Sequence, residues 1–123
     1  MIIALWILNG ILALAFLAAG AMKALRSKDA LRASGGMEWV DGFSPAAIRL
    51  IGVAEVLGAV GLILPLLTGI APILTPIAAT ALTILMIGAT VTHARRHEKV
   101  VPTLVLTVLT IASAILGFVV VLG

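Results

Sequence analysis

The sequence contains no cysteine and no tyrosine, and its acidic residues number only five. Without cysteine there is no disulfide, no thiolate nucleophile, no Cys-ligated zinc and no cysteine-held iron–sulfur cluster. Scarcity of charge excludes more. Charged residues make up 11% of the chain against 63% hydrophobic, with a mean hydropathy of +1.31. Soluble domains average about 45–50% apolar and about 25% charged residues, so this composition would leave a water-facing surface largely greasy. Lipid is the solvent that fits. The net charge of +3 and pI near 10.2 do not read as nucleic-acid binding, because the basic residues sit in short segments beside apolar runs, without interleaved aromatics. A nucleophile elbow, a phosphate loop and a dinucleotide fingerprint are also missing, and Ser27, Ser34, Ser44 and Ser113 have no acid–histidine arrangement around them.

What is present is long apolar runs. Crossing the hydrocarbon core takes about 20 such residues, and four stretches qualify, at about 2–22, 46–66, 73–92 and 100–122. Each must be helical, since an isolated strand or loop leaves its backbone N–H and C=O groups unpaired in lipid. The expected fold is therefore all-α, a four-transmembrane-helix bundle forming a single integral membrane domain over residues 1–123. Ser44-Pro45 reads as an N-cap followed by a first-turn proline and starts the second span. Thr75-Pro76 repeats that signal, so the third starts there, or near Pro72 with a kink.

Charge placement orients the bundle. Lys23, Arg26, Lys28, Arg32 and Arg49 lie in the first connection or the turn after it, and Arg95, Arg96 and Lys99 in the third. These connections share one side of a four-span chain, and the excess of Lys and Arg assigns that side to the cytoplasm, with both termini outside. The first span lacks a basic leader and is longer than a signal peptide's apolar core of about 7–15 residues. With Lys23 and Arg26 behind it, it reads as an uncleaved anchor. The expectation is a multi-pass protein of a cell membrane, of the bacterial inner-membrane type.

The first connection carries Gly35-Gly36 and then Trp39 and Phe43 between acids. A segment lying at the headgroup boundary fits this, and an ordinary loop anchored by an interfacial tryptophan fits it better. Trp6 reads as an anchor at the opposite interface. Small residues mark helix seams: Gly52, Ala54, Gly58 and Gly61 in the second span, and Thr103, Thr107, Thr110, Ala114 and Gly117 in one stripe of the fourth. Thr80, Thr83 and Thr90 in the third span belong with them, their hydroxyls bonding backbone carbonyls.

Glu55 is the candidate that stands apart. Counted from Pro45 it lies about 15 Å into the second helix, near mid-membrane, where a carboxylate needs a partner or a proton. It is either a functional acid or a structural one bonded to a neighbouring helix. Asn9, about 21 Å along the first helix from Lys23, has the depth to meet it if those helices adjoin. Lys23 reaches inward or snorkels to the interface. Arg49 is six residues before Glu55, about 120° round the helix, a poor intrahelical pair but able to line the same cavity mouth. His93 caps the third helix or lines a cavity with Glu55. His93 and His97 have the i, i+4 spacing of a metal pair, but two arginines intervene and no third ligand is evident, so no metal site is expected.

These residues resemble the DoxX-like family of small four-helix integral membrane proteins. The likeness runs from Phe16 through Ala19-Gly20 to Lys23, then over Arg49-Leu50-Ile51-Gly52-Val53-Ala54-Glu55 with Gly58 and Leu62, and closes with Gly88-Ala89 and His93-Ala94-Arg95-Arg96. Some relatives are named as small subunits of a thiosulfate:quinone oxidoreductase, and others are linked to membrane oxidoreductase complexes of thiol and oxidative-stress homeostasis. The resemblance thus implies a non-catalytic membrane subunit or scaffold associated with a redox system, self-assembling or bound to a redox partner protein. The alternative is a small-molecule binding or transport protein with a cavity at Glu55. No cofactor motif is evident, and a quinone is compatible with either reading.

Overall fold

The computed structural model describes residues 1–34 and 37–123, so Gly35 and Gly36 of the first connection lie outside the described residues. The elements are α1 (Ile2–Leu25), α2 (Lys28–Ala33), a 3-10 helix (Glu38–Gly42), α3 (Pro45–Thr68), α4 (Leu74–Arg95) and α5 (Val101–Leu122). No strand occurs among the described residues. The four long helices, of 22 to 24 residues, are each long and apolar enough to cross a membrane. At 1.5 Å per residue they reach about 33–36 Å, slightly more than the hydrocarbon core, so they run up to a turn beyond the apolar stretches.

Local chemistry sets their ends. The Ser44 hydroxyl accepts from the Ala47 N–H at 3.1 Å and Pro45 occupies the first turn of α3. Ser27 caps α2 in the same way through Ala30. Gly69, at φ +72°, closes α3 in the left-handed conformation that glycine adopts without a Cβ penalty. The start of α4 is different from the capping that Thr75-Pro76 suggests. Ile73 is the N-cap, Thr75 is already helical, and its buried hydroxyl has no hydrogen-bond partner among the described residues.

Outer and inner faces are both apolar, the pattern of helices that sit in lipid. Exposed Ile3, Ile7, Leu57, Ile84, Val108 and Ile115 form the outside, while Leu12, Phe16, Ala59, Leu62, Leu82 and Met86 form the central core. The helices form a ring in which α1 packs chiefly on α3, α3 on α4 and α4 on α5, with a lighter α1–α5 contact closing it. The α1–α3 crossing is set by two glycines. A Cβ on Gly20 would lie 2.6 Å from the Gly52 carbonyl oxygen, and one on Gly52 would lie 2.6 Å from that of Gly20. Gly58 and Gly61 instead receive Leu82 and Ala78 of α4. Ala54 is exposed, so the Ala54/Gly58 spacing does not make one seam. Thr107 and Thr110 of the α5 stripe are buried, but their hydroxyls bond carbonyls of their own helix, as do Thr80, Thr83 and Thr90 of α4.

The first and third connections meet at one end of the bundle. Arg96 donates to the Glu38 carbonyl at 3.0 Å, and Lys28 to the Phe43 carbonyl at 2.8 Å. Leu31, Trp39, Val40 and Ile48 form a second, smaller core there. The segment around Trp39 is thus neither an open loop nor a free interfacial strip. It is folded down onto the bundle, with Trp39 only 9% exposed.

Candidate functional site

Beneath that segment, in the basic half of the bundle, is a cavity of about 980 Å³ walled by all four long helices. Its flanks are apolar, with Phe16 from α1, Leu85 and Met86 from α4 and Leu106 from α5. Gly88 leaves room on the α4 wall, since nothing lies within 4 Å of where its Cβ would stand. The polar groups gather toward the connections, where Lys23, Glu55, His93 and Glu98 line it and Trp39 and Phe43 cover it.

Glu55 is 1% exposed, and its Oε1 accepts from Lys23 Nζ at 2.5 Å. The close glycine crossing makes this pair. A Cβ on Gly52 would fall 2.8 Å from Lys23 Cβ, so the lysine stem lies directly on the glycine and its ammonium reaches across to the next turn of α3. Buried charges are tolerated when paired, and here the pair is neutral as a unit. The Lys23 side chain keeps 14% of its surface exposed, against 2% for Glu55. An ammonium carries three donors, so Lys23 retains hydrogen-bonding capacity toward the cavity. Its Nζ also lies 5.6 Å from the centroid of the Trp39 ring, within cation–π range.

The cover is held by aromatic and ionic contacts. Trp39 meets Phe43 edge-on at 5.6 Å and His93 edge-on at 6.4 Å. His93 Nδ1 lies 2.9 Å from Glu98 Oε1, and Arg96 Nε lies 3.3 Å from Glu98 Oε2. Desolvation draws the Glu98 carboxyl upward, but hydrogen bonds from His93 and Arg96 and their charges outweigh it and hold the group below its ordinary value of 4.5. Arg96, also bonded to the Glu38 carbonyl, ties this corner to the cover. His97 lies past the end of α4 at φ +55°, so the i, i+4 pair does not share a helical face. Among the described residues no three His, Asp or Glu side chains come together as metal ligands.

The five residues singled out from sequence separate into three places. Glu55, Lys23 and His93 share the cavity. Asn9 does not meet Glu55. It is fully buried, donates to the Leu62 carbonyl at 3.0 Å and accepts from the Ser113 hydroxyl at 2.5 Å, joining α1, α3 and α5. With Gly20 facing Gly52 in antiparallel helices, Asn9 stands level with Leu62, about 10 Å along α3 from Glu55. Arg49 is exposed and lines a separate cleft beside Lys23, Arg26 and Lys28. Sequence reasoning missed Glu98 as the partner of His93 and Trp39 as a cavity cover. The cue for the first was an acid just beyond the helix end; for the second, the only two aromatic residues of the first connection, four positions apart.

Among known proteins, the chain matches the family described as DoxX-like over residues 7–122. No curated protein and no solved structure matches it.

Proposed function

The chain belongs to the DoxX-like family, and from that premise we propose that it binds a hydrophobic small molecule with a polar, hydrogen-bond-accepting head inside the bilayer. The cavity carries this reading. About 980 Å³ is at the upper end of small-molecule sites, which are mostly apolar with few convergent polar groups. Lys23 Nζ and the His93 ring supply those groups at one end, and Phe16, Met86 and Leu106 supply a slot for an apolar body. A quinone has this shape and chemistry, with carbonyl acceptors on the head and an apolar tail. Lipid-soluble ligands reach such a site from the membrane.

This reading also orders the two roles that the family resemblance raises. A scaffold needs only its outer surface, whereas an ion pair lining a large cavity that Trp39 and Phe43 cover at one end supports the binding of an occupant. The chain has no thiol of its own, so any thiol–disulfide chemistry on the bound molecule would belong to a partner protein. By the excess of Lys and Arg, the covered end faces the cytoplasm and both termini face outside.

Trp39 provides the test. In the Trp6→Phe variant it is the only tryptophan, and it stands against the cavity. Titrating a short-tail ubiquinone into that variant in detergent should quench Trp39 saturably. Gly88→Phe, which fills the slot, should weaken binding about tenfold or more. Quenching that rises linearly without saturation, or that Gly88→Phe leaves unchanged, would remove this function.

A further inference from the structure

We infer that the cationic cleft where α1 ends and α3 begins binds the phosphate headgroup of an anionic phospholipid, a site distinct from the cavity, with which it shares only Lys23. The cleft measures about 290 Å³ and is lined by Lys23, Arg26, Lys28 and Arg49, with Asp29 as its single acid. Lys23 is neutralised by Glu55 behind it. Among the described residues, Arg26, Lys28 and Arg49 make no ion pair within 4.0 Å. Elsewhere at the same end Arg32 pairs with Asp41 and Arg96 with Glu98, while among the described residues Arg95 and Lys99 make no ion pair and do not line this cleft. What sets Arg26, Lys28 and Arg49 apart is that three cations without an ion pair line one concavity.

Like charges converging on one concavity repel one another, and an anion with several acceptor oxygens relieves that repulsion. Guanidinium groups match phosphate oxygens in bidentate geometry. The surroundings select a lipid over a free phosphate. Leu25, next to Arg26, is 84% exposed, and Leu50, next to Arg49, is 69% exposed. Cationic groups and bare apolar surface therefore adjoin at the level where the two spans leave the hydrocarbon core. Basic pockets in that position recognise anionic headgroups, and a phospholipid uses both surfaces at once, whereas inorganic phosphate uses only one.

The test uses the full chain purified in mild detergent, with bound lipid counted by native mass spectrometry after addition of phosphatidylglycerol or phosphatidylcholine. Wild type should retain phosphatidylglycerol on the order of tenfold better. Arg26→Gln/Arg49→Gln should bring the two lipids within about twofold. Arg95→Gln/Lys99→Gln, an equal loss of charge at the other connection, should keep the preference. If the first pair does not fold, Arg49→Gln alone, at an exposed side chain, should still lower the preference about threefold. Three results would overturn the inference: equal retention of both lipids by wild type, equal loss in the two double variants, or complete displacement of phosphatidylglycerol by millimolar inorganic phosphate. The last would identify a soluble phosphate compound as the ligand.

Discussion

The two halves of this bundle both place a polar side chain deep in an apolar structure, and they settle it differently. In the half away from the basic connections, the amide of Asn9 joins three helices through Leu62 and Ser113 and is fully buried. In the basic half, Glu55 is as deeply buried, but its partner is a cation that keeps part of its surface toward a cavity of about 980 Å³. The amide link is a clasp, fully buried with its bonds going to protein atoms. The ionic link has donors left over and space in which to use them. A polar group inside a membrane bundle points to function when both conditions hold, and depth alone does not distinguish the two cases.

The sharpest way to break the comparison is to truncate each link. Glu55→Ala leaves the Lys23 ammonium without its anion, and breaking a buried pair from one side costs about 3–5 kcal/mol. Asn9→Ala removes neutral interhelical bonds, which average about 0.6 and reach about 1.7 kcal/mol in membranes. Unfolding of the two variants in detergent should rank them in that order. Replacing both partners, as Lys23→Met/Glu55→Leu, should recover most of the loss, because no uncompensated charge remains. Equal losses for Glu55→Ala and Asn9→Ala would mean that the ionic link is merely a second clasp.

Sequence made the spans legible because it carries their two determinants directly, apolar length and the position of charge. Glu55 was legible for the same reason, as an acid counted to mid-membrane. Its partner was not. Choosing Lys23 over Asn9 depends on the α1–α3 register, which the Gly20–Gly52 approach fixes through backbone contact. Neither glycine announces the other along the chain. Arg49 was misplaced by a related gap, since a helical angle states where a residue points on its own helix and not which neighbour fills that direction. Trp39 was read as an interfacial anchor because its burial comes from a core with Leu31 and Ile48 and from neighbours such as His93 and Lys23, none adjacent in sequence. Composition governs what faces lipid; pairwise register governs the site.

A smaller effect separates two glycines of the basic half. At Gly52 a Cβ meets the Gly20 carbonyl oxygen at 2.6 Å and the Ala24 nitrogen at 2.7 Å, both backbone atoms that cannot rotate away. Gly52→Ala should therefore part α1 from α3 and cost about 1–3 kcal/mol, the usual range for overpacking. It should also pull Lys23 from Glu55 and weaken quinone quenching of Trp39. Gly88→Ala has open space and should leave folding unchanged in the same unfolding assay. A tolerated Gly52→Ala would show that the crossing is set by something other than backbone approach.

The mildest prediction concerns pH and contrasts the two ends through their tryptophans. Glu98 is held below its ordinary value of 4.5 in the folded chain by His93 and Arg96. A lowered carboxylate stabilises the fold fully above its unfolded value, and that contribution is lost as pH falls through the lowered folded value. Between pH 7 and about 5 the cover should thus stay closed, and acidification below about 4.5 should release the Glu98 corner. Trp39, against His93, should then shift its fluorescence in the Trp6→Phe variant. Trp6, on a stretch of α1 without titratable side chains, should not move in the matching Trp39→Phe variant. Glu98→Gln should abolish the Trp39 step. A step that survives this change would belong to another acid of the basic end, and equal shifts at both tryptophans would mean that acid loosens the bundle as a whole.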